Sequence, residues 1–123
     1  MTVLGIDLCE VKRIKAAILA NDGFLLRYYT AEERAYLEAR GKVADQSAAA
    51  MFAAKEAFLK ALGVGLSGGV SMAEIGVWHD ERGCPAYRLT GRALARMAEA
   101  GAKAAHLSLT HDAGVAAAVC VLE

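Results

Sequence analysis

Three side chains stand out for the chemistry their types and positions allow: Asp7, Glu56 and Lys60. Asp7 is a carboxylate inside an apolar run, and Glu56 and Lys60 are charges in a segment that is apolar on almost every side. Two carboxylates supply hard oxygen ligands which, with waters and substrate phosphate oxygens, make up the usual Mg²⁺ shell. A lysine beside them is a compact cation for the same phosphates. Glu56 and Lys60 are four apart, so on a helix they share one face about one turn from each other, while Lys55 points roughly 100° away. Lys60 also stands just before GVGLSGGVS at 63–71, whose glycines let a backbone hug a phosphate. The same spacing is compatible with a plain Glu56–Lys60 salt bridge worth only about 0.3–0.5 kcal/mol, and Asp7 with a surface carboxylate or a helix cap. His111-Asp112, beside a turn, is either a ligand contact or a hydrogen-bonded turn.

These residues need elements to hold them. Residues 2–8 alternate, with Leu4, Ile6 and Leu8 on one face and Val3, Gly5 and Asp7 on the other, which predicts a strand. Residues 10–20 place Val11, Ile14, Ile18 and Leu19 on a helical stripe, with Lys12, Arg13 and Lys15 off it; the ordinary role of such a basic run is a solvated face. A short helical piece spans 24–29, and Thr30 with Glu33 forms a capping box for a helix to about Arg40. Residues 43–62 lack glycine and proline, predicting a long helix ended by Gly63 in a left-handed conformation. Residues 73–79 and 85–89 read as a hairpin, Thr90 as the cap of a helix over 91–100, and 105–111 and 115–122 as strands joined by a turn at Asp112-Ala-Gly114. Strands and helices mix without a regular βαβ alternation, so the expected class is α+β, a mainly antiparallel sheet packed against a long buried helix.

At 123 residues the chain fits one domain over 1–123. Fourteen basic residues balance fourteen acidic ones, so no overall field draws the chain to nucleic acid, and any charged ligand must meet a local cluster. With 56% hydrophobic residues, it carries more apolar material than a monomer of this size easily buries, which predicts an oligomer. No apolar run is long enough to span a membrane and the N-terminus lacks a secretory pattern, so a cytoplasmic location is expected. Cys9, Cys84 and Cys120 show no metal-ligand spacing and read as buried hydrophobes in a reducing compartment.

The segments GIDLCEVKRI (5–14), FAAKEAFLKALGVG (52–65), GCPAYRLTG (83–91), HLSLTHD (106–112) and VAAAVCVLE (115–123) together resemble the bacterial holo-(acyl-carrier-protein) synthases, the small-subunit type of 4′-phosphopantetheinyl transferase. They occur in the family's order and spacing over nearly the whole chain. The resemblance implies the transferase-like fold and a Mg²⁺-dependent reaction serving fatty acid biosynthesis. In it, the 4′-phosphopantetheine arm of coenzyme A moves to a serine of apo acyl carrier protein, releasing adenosine 3′,5′-bisphosphate. By the same resemblance Asp7 and Glu56 hold the metal and Glu56 and Lys60 act in catalysis. Lys60 also binds coenzyme A together with Gly63, Thr110, His111 and Asp112, and Arg13 with Lys12 docks the acidic carrier. The family's homotrimer, with active sites between protomers, would absorb the apolar surplus. Glu56 could take the serine proton directly or through a water that it orients.

One departure stands out. Many relatives carry a basic residue just before Phe-Ala-Ala-Lys-Glu, where this chain has Met51, so Arg40 or Lys42 becomes the candidate cation for the 3′-phosphate. Three rival readings remain at this point: a non-catalytic coenzyme A or nucleotide binder, a small Mg²⁺-dependent phosphohydrolase, and a structural oligomer whose charges are all salt bridges.

Overall fold

A computed structural model describes residues 2–64 and 68–123. Strand β1 (Val3–Glu10) runs directly into helix α1 (Val11–Ala20), followed by α2 (Phe24–Tyr28), α3 (Ala31–Ala39) and α4 (Ala44–Leu62). Then come β2 (Ile75–His79), β3 (Pro85–Leu89), α5 (Gly91–Glu99), β4 (Ala105–Asp112) and β5 (Val115–Leu122). The strands form an antiparallel three-stranded sheet in the order β1-β5-β4 and an antiparallel pair, β2 with β3. This is the expected α+β architecture. The predicted glycine-rich loop over 63–71 falls partly on 65–67, outside the described residues.

Helix α4 is the centre of the packing because small side chains let it sit close to the sheet. Ala48, Ala49, Ala53, Ala54 and Ala57 are all completely buried, and α4 packs mainly on β1 and on β5, whose Ala116, Ala118, Cys120 and Leu122 are buried with it. Gly5 permits the closest approach: a Cβ there would fall onto the Ala57 carbonyl oxygen and within 2.6 Å of the Ala61 nitrogen. Gly63, at φ 75°, ends α4 in the left-handed region as predicted.

The alternation predicted for β1 is present, but the apolar side points outward. Leu4, Ile6 and Leu8 are 67%, 64% and 67% exposed, whereas Gly5 and Cys9 are buried against α4. Close packing selected the small residues for the inside. Across the ladder Leu4, Ile6 and Leu8 lie opposite Val121, Val119 and Ala117, so the outer face is apolar over β1 and β5 and turns polar at His106, Ser108 and Thr110 of β4. The surplus of hydrophobic residues is therefore partly on the surface.

A buried ion pair locks the other side of α4. Lys55 Nζ donates to Glu33 Oε1 (2.8 Å), Glu33 Oε2 (3.0 Å), the Met72 carbonyl (3.0 Å) and the Ile75 carbonyl (2.9 Å). Glu33 closes the predicted capping box by accepting from the Thr30 backbone N–H, and accepts from the Val77 N–H as well. One carboxylate thus ties α3, α4 and β2 together. Burial pulls the Lys55 ammonium below its ordinary range, against the attraction of Glu33.

Several local expectations are corrected. Leu19 is 75% exposed and off the packed stripe of α1. Thr90 makes no side-chain cap for α5; Glu74 instead accepts from the Arg92 backbone N–H at 2.7 Å and from Ser71 at 2.8 Å. Met72–Glu74 is a 3₁₀ turn, so β2 starts at Ile75 rather than at 73. Cys9 and Cys120 are buried, but Cys84 is exposed in the turn before β3; all three are free thiols. Among the described residues, no helix is long and apolar enough to cross a membrane.

Candidate active site

Between Ala48 and Ala61 every residue of α4 is buried except Phe52, Glu56 and Lys60. Their spacing of four puts them on one line along the helix, the only line that α4 leaves open there. Phe52 stacks on Phe24 of α2 at 6.1 Å between ring centroids, so Glu56 and Lys60 form its polar end. Strand β1 brings Asp7 to the same place, because Gly5 and Cys9 on either side of it pack inward.

Lys60 Nζ donates to Asp7 Oδ1 at 2.9 Å, with the lysine side chain 55% exposed and the aspartate 15%. The sequence spacing suggested a Glu56–Lys60 bridge; the structure pairs Lys60 with Asp7 instead. Glu56 is half-buried beside them. Burial, followed by the charge of Asp7, raises its carboxyl above the usual range, while Lys60 and Arg13 pull it down. The hydrogen bond and charge of Asp7 raise the Lys60 ammonium in turn. Asp7, Glu56, Lys60 and Arg13 thus act on one another as a single electrostatic cluster spanning β1, α4 and α1.

A divalent ion suits this donor set. Asp7 and Glu56 are two oxygen donors that repel one another across a partly buried site, and a cation between them would relieve that repulsion. No group of three or more His, Cys, Asp or Glu among the described residues could form an all-protein cage. Two carboxylates completed by water and phosphate oxygens is the arrangement Mg²⁺ accepts.

The remaining predicted residues gather elsewhere. His111 Nδ1 lies 3.0 Å from Gln46 Nε2, on the first turn of α4. Gln46 and Lys60 are fourteen positions apart, about 21 Å along a helix at 1.5 Å per residue. The chain therefore does not bring His111 to Asp7, Glu56 and Lys60. Instead Thr110 and His111 line a cavity of about 190 Å³ with Tyr36, Arg40, Gln46 and His79. That is smaller than the roughly 300–1,000 Å³ of an enclosed ligand site. Asp112 closes β4 at its pairing with Val115. Arg40 is steered into the cavity by a bond from its Nε to Ser47 Oγ at 3.2 Å and by its guanidinium over the Tyr36 ring; Lys42 is exposed and does not line it. Met51, by contrast, is fully buried in the core.

Lys12 and Arg13 are exposed on α1, the latter beside Glu56. The Gly63 N–H already bonds to the Leu59 and Lys60 carbonyls, so it is not free to hold a phosphate. Among the described residues nothing lies within 4 Å of where a Gly63 Cβ would be, so glycine is favoured here by its left-handed backbone, φ 75°. Sequence reasoning missed Tyr36, His79 and Gln46, which reach the cavity from three elements and carry no local signal.

The chain is similar to known proteins along nearly its whole length. Residues 3–120 match the family model of the 4′-phosphopantetheinyl transferase superfamily. A holo-[acyl-carrier-protein] synthase of Trichlorobacter lovleyi is 46% identical, with 98% of this chain and 95% of that protein covered. One from Treponema denticola is 45% identical over 98% and 96%. Among solved structures, the holo-[acyl-carrier-protein] synthase of Neisseria meningitidis superposes with a TM-score of 0.86 at 35% identity, covering 98% of this chain and 97% of that one. The Helicobacter pylori synthase in complex with coenzyme A gives 0.83 at 29% identity, with 98% and 99% covered. The carboxylate pair, the lysine beside it and this agreement in sequence and fold place the chain in the 4′-phosphopantetheinyl transferase superfamily, among the holo-[acyl-carrier-protein] synthases.

Proposed function

We propose that the chain transfers the 4′-phosphopantetheine arm of coenzyme A to a serine of apo acyl carrier protein, releasing adenosine 3′,5′-bisphosphate, in the cytoplasm and in support of fatty acid biosynthesis. The observation that carries this reading is the half-buried Glu56 beside the pair of a largely buried Asp7 and an exposed Lys60, in a chain 46% identical to a holo-[acyl-carrier-protein] synthase.

In the reaction, the serine oxygen forms a bond to the phosphorus that carries the pantetheine arm, and the bond from that phosphorus to the oxygen of the nucleotide phosphate breaks. Mg²⁺ held by Asp7 and Glu56 would neutralise pyrophosphate charge as it builds on the leaving group. Lys60 directs the two N–H groups that have no partner among the described residues at the same oxygens, its third being given to Asp7. Glu56 accepts the serine proton, directly or through a water that it orients. Lys12 and Arg13 offer positive charge to an acidic carrier beside the site. Gly63 leaves room for the pyrophosphate next to Lys60.

The nucleotide end of coenzyme A belongs in the cavity of Thr110, His111 and Arg40, with Asp112 following His111 at the end of β4 and Arg40 facing the 3′-phosphate. The separation of about 21 Å along α4 and the cavity's small volume favour a site completed by a second protomer. The exposed face of Leu4, Ile6 and Leu8 favours the same assembly, a homotrimer with sites between subunits.

Incubation with coenzyme A, Mg²⁺ and apo carrier protein tests the reading. The carrier should gain one phosphopantetheine mass, and no gain with a range of carriers would sink the proposal. Glu56→Gln should slow loading by about 10²–10⁴-fold with an unchanged circular dichroism spectrum.

A further inference from the structure

Gln46 has no part in the reaction above, yet it holds the histidine of the cavity. Its amide nitrogen Nε2 lies 3.0 Å from Nδ1 of His111, and both side chains line the cavity that Arg40 and Thr110 share. The contact joins α4 to β4 across 65 residues of sequence. Ser47, the next residue, does the same for the Arg40 guanidinium, accepting from its Nε at 3.2 Å. One turn of α4 thus holds two cavity side chains that belong to other elements.

The chemistry of the Gln46 contact fixes a proton. An amide nitrogen carries two N–H groups and serves only as a donor. Nδ1 of His111 therefore accepts, and a neutral imidazole that accepts at one nitrogen carries its proton on the other. Among the described residues His111 makes no second hydrogen bond, so its Nε2–H is left to donate. His111 is exposed at the end of β4, where an imidazole without a partner exchanges both its tautomer and its ring orientation. Holding one of each removes that freedom before a ligand arrives, and binding then costs less. Beside Arg40, which supplies charge, a held N–H supplies direction to an oxygen acceptor.

We infer that Gln46 is a positioning residue for coenzyme binding: it keeps the ring proton of His111 on Nε2 and so presents a fixed N–H donor to an oxygen of the nucleotide. This rests on the proposed function, in that it places the nucleotide end in this cavity.

NMR of the imidazole nitrogens in the full chain, at about pH 8.5 where an ordinary imidazole is neutral, reads the position of the proton with no ligand present. Wild-type His111 should carry it on Nε2, and Gln46→Glu, whose carboxylate only accepts, should move it to Nδ1. A wild-type proton on Nδ1, or a Glu variant that leaves it on Nε2, would overturn the assignment. Calorimetric titration of adenosine 3′,5′-bisphosphate reads the consequence. Gln46→Ala should bind about three- to ten-fold more weakly than wild type, whereas in a His111→Ala background the same substitution should change affinity by less than about two-fold. Unchanged affinity defeats the inference. So does an equal loss in both backgrounds, because Gln46 would then act by itself or through packing. A wild-type chain that binds no bisphosphate removes the inference together with the placement of the nucleotide. Carrier loading is scored separately: loading by wild type with unchanged affinity in Gln46→Ala removes only the role of Gln46, whereas absence of loading removes the reaction and leaves the tautomer and binding results to decide on Gln46.

Discussion

Helix α4 carries two lysines five residues apart, and each is paired with a carboxylate, yet the pairs could hardly differ more. Lys55 is completely buried and shares its ammonium among Glu33 and two backbone carbonyls. All of its N–H groups are committed. Lys60 is 55% exposed and gives one bond to Asp7, which leaves donors, and an acceptor on Asp7, for something else. The first pair is a closed staple between elements. The second is open, and openness beside a half-buried carboxylate is what a phosphate-transfer site needs. Proximity to an acid does not distinguish the two lysines; the number of groups left without a partner does.

The contrast breaks first at Lys55. Lys55→Met leaves the Glu33 carboxylate buried without its counter-ion, and urea unfolding should show a loss of about 3–5 kcal/mol. If the loss is below about 1 kcal/mol, the pair is not the staple described. Lys60→Ala should do the reverse. Stability should change by less than about 1 kcal/mol, as for pairs whose cation stands in solvent, while carrier loading falls by about 10²-fold as donors to the leaving phosphate are lost. A Lys60→Ala protein that unfolds early but loads at the wild-type rate would invert the assignment.

The smallest effect concerns Glu74, a third carboxylate and one that works without a lysine. Its bonds from the Ser71 and Arg92 backbone N–H groups hold its carboxyl below the usual range. A carboxyl lowered by folding contributes stability above its unfolded pKa, near about 4.3, and that contribution is lost as pH falls through the folded value. The melting temperature should therefore decline more steeply on acidification below about pH 5 in wild type than in Glu74→Gln. Parallel declines would show that Glu74 is no staple for the α5 N-terminus.

What could be read from the chain, and what could not, follows the same division between local and distant partners. The Thr30–Glu33 capping box, α4 with its Gly63 stop, and the hairpin of β2 and β3 depend on neighbours in sequence, and all were legible. Asp7, Glu56 and Lys60 were legible as a set through the motifs around them. The partner of Lys55 was not, since Glu33 lies on another helix and no spacing rule links them. The outward turn of Leu4, Ile6 and Leu8 was also hidden, because alternation shows that two faces differ without showing which one a helix needs to approach. Thr90 looked like a cap, but the α5 N-terminus takes its oxygen from Glu74, across a gap in sequence. His79 carried no pattern at all. Its place emerges only when β2 is laid beside α3 and β4.

The alanine-rich seam of α4 has an evolutionary consequence. Ala49, Ala53, Ala54 and Ala57 are completely buried, so larger side chains there overpack the core, and overpacking typically costs about 1–3 kcal/mol. Substitutions in this stretch therefore fall on residues that hold the fold together or on the open line of Phe52, Glu56 and Lys60. Random mutation of this helix has little neutral ground in which to drift. The stretch should stay recognisable long after the outer surfaces of α1, α3 and α5 have diverged.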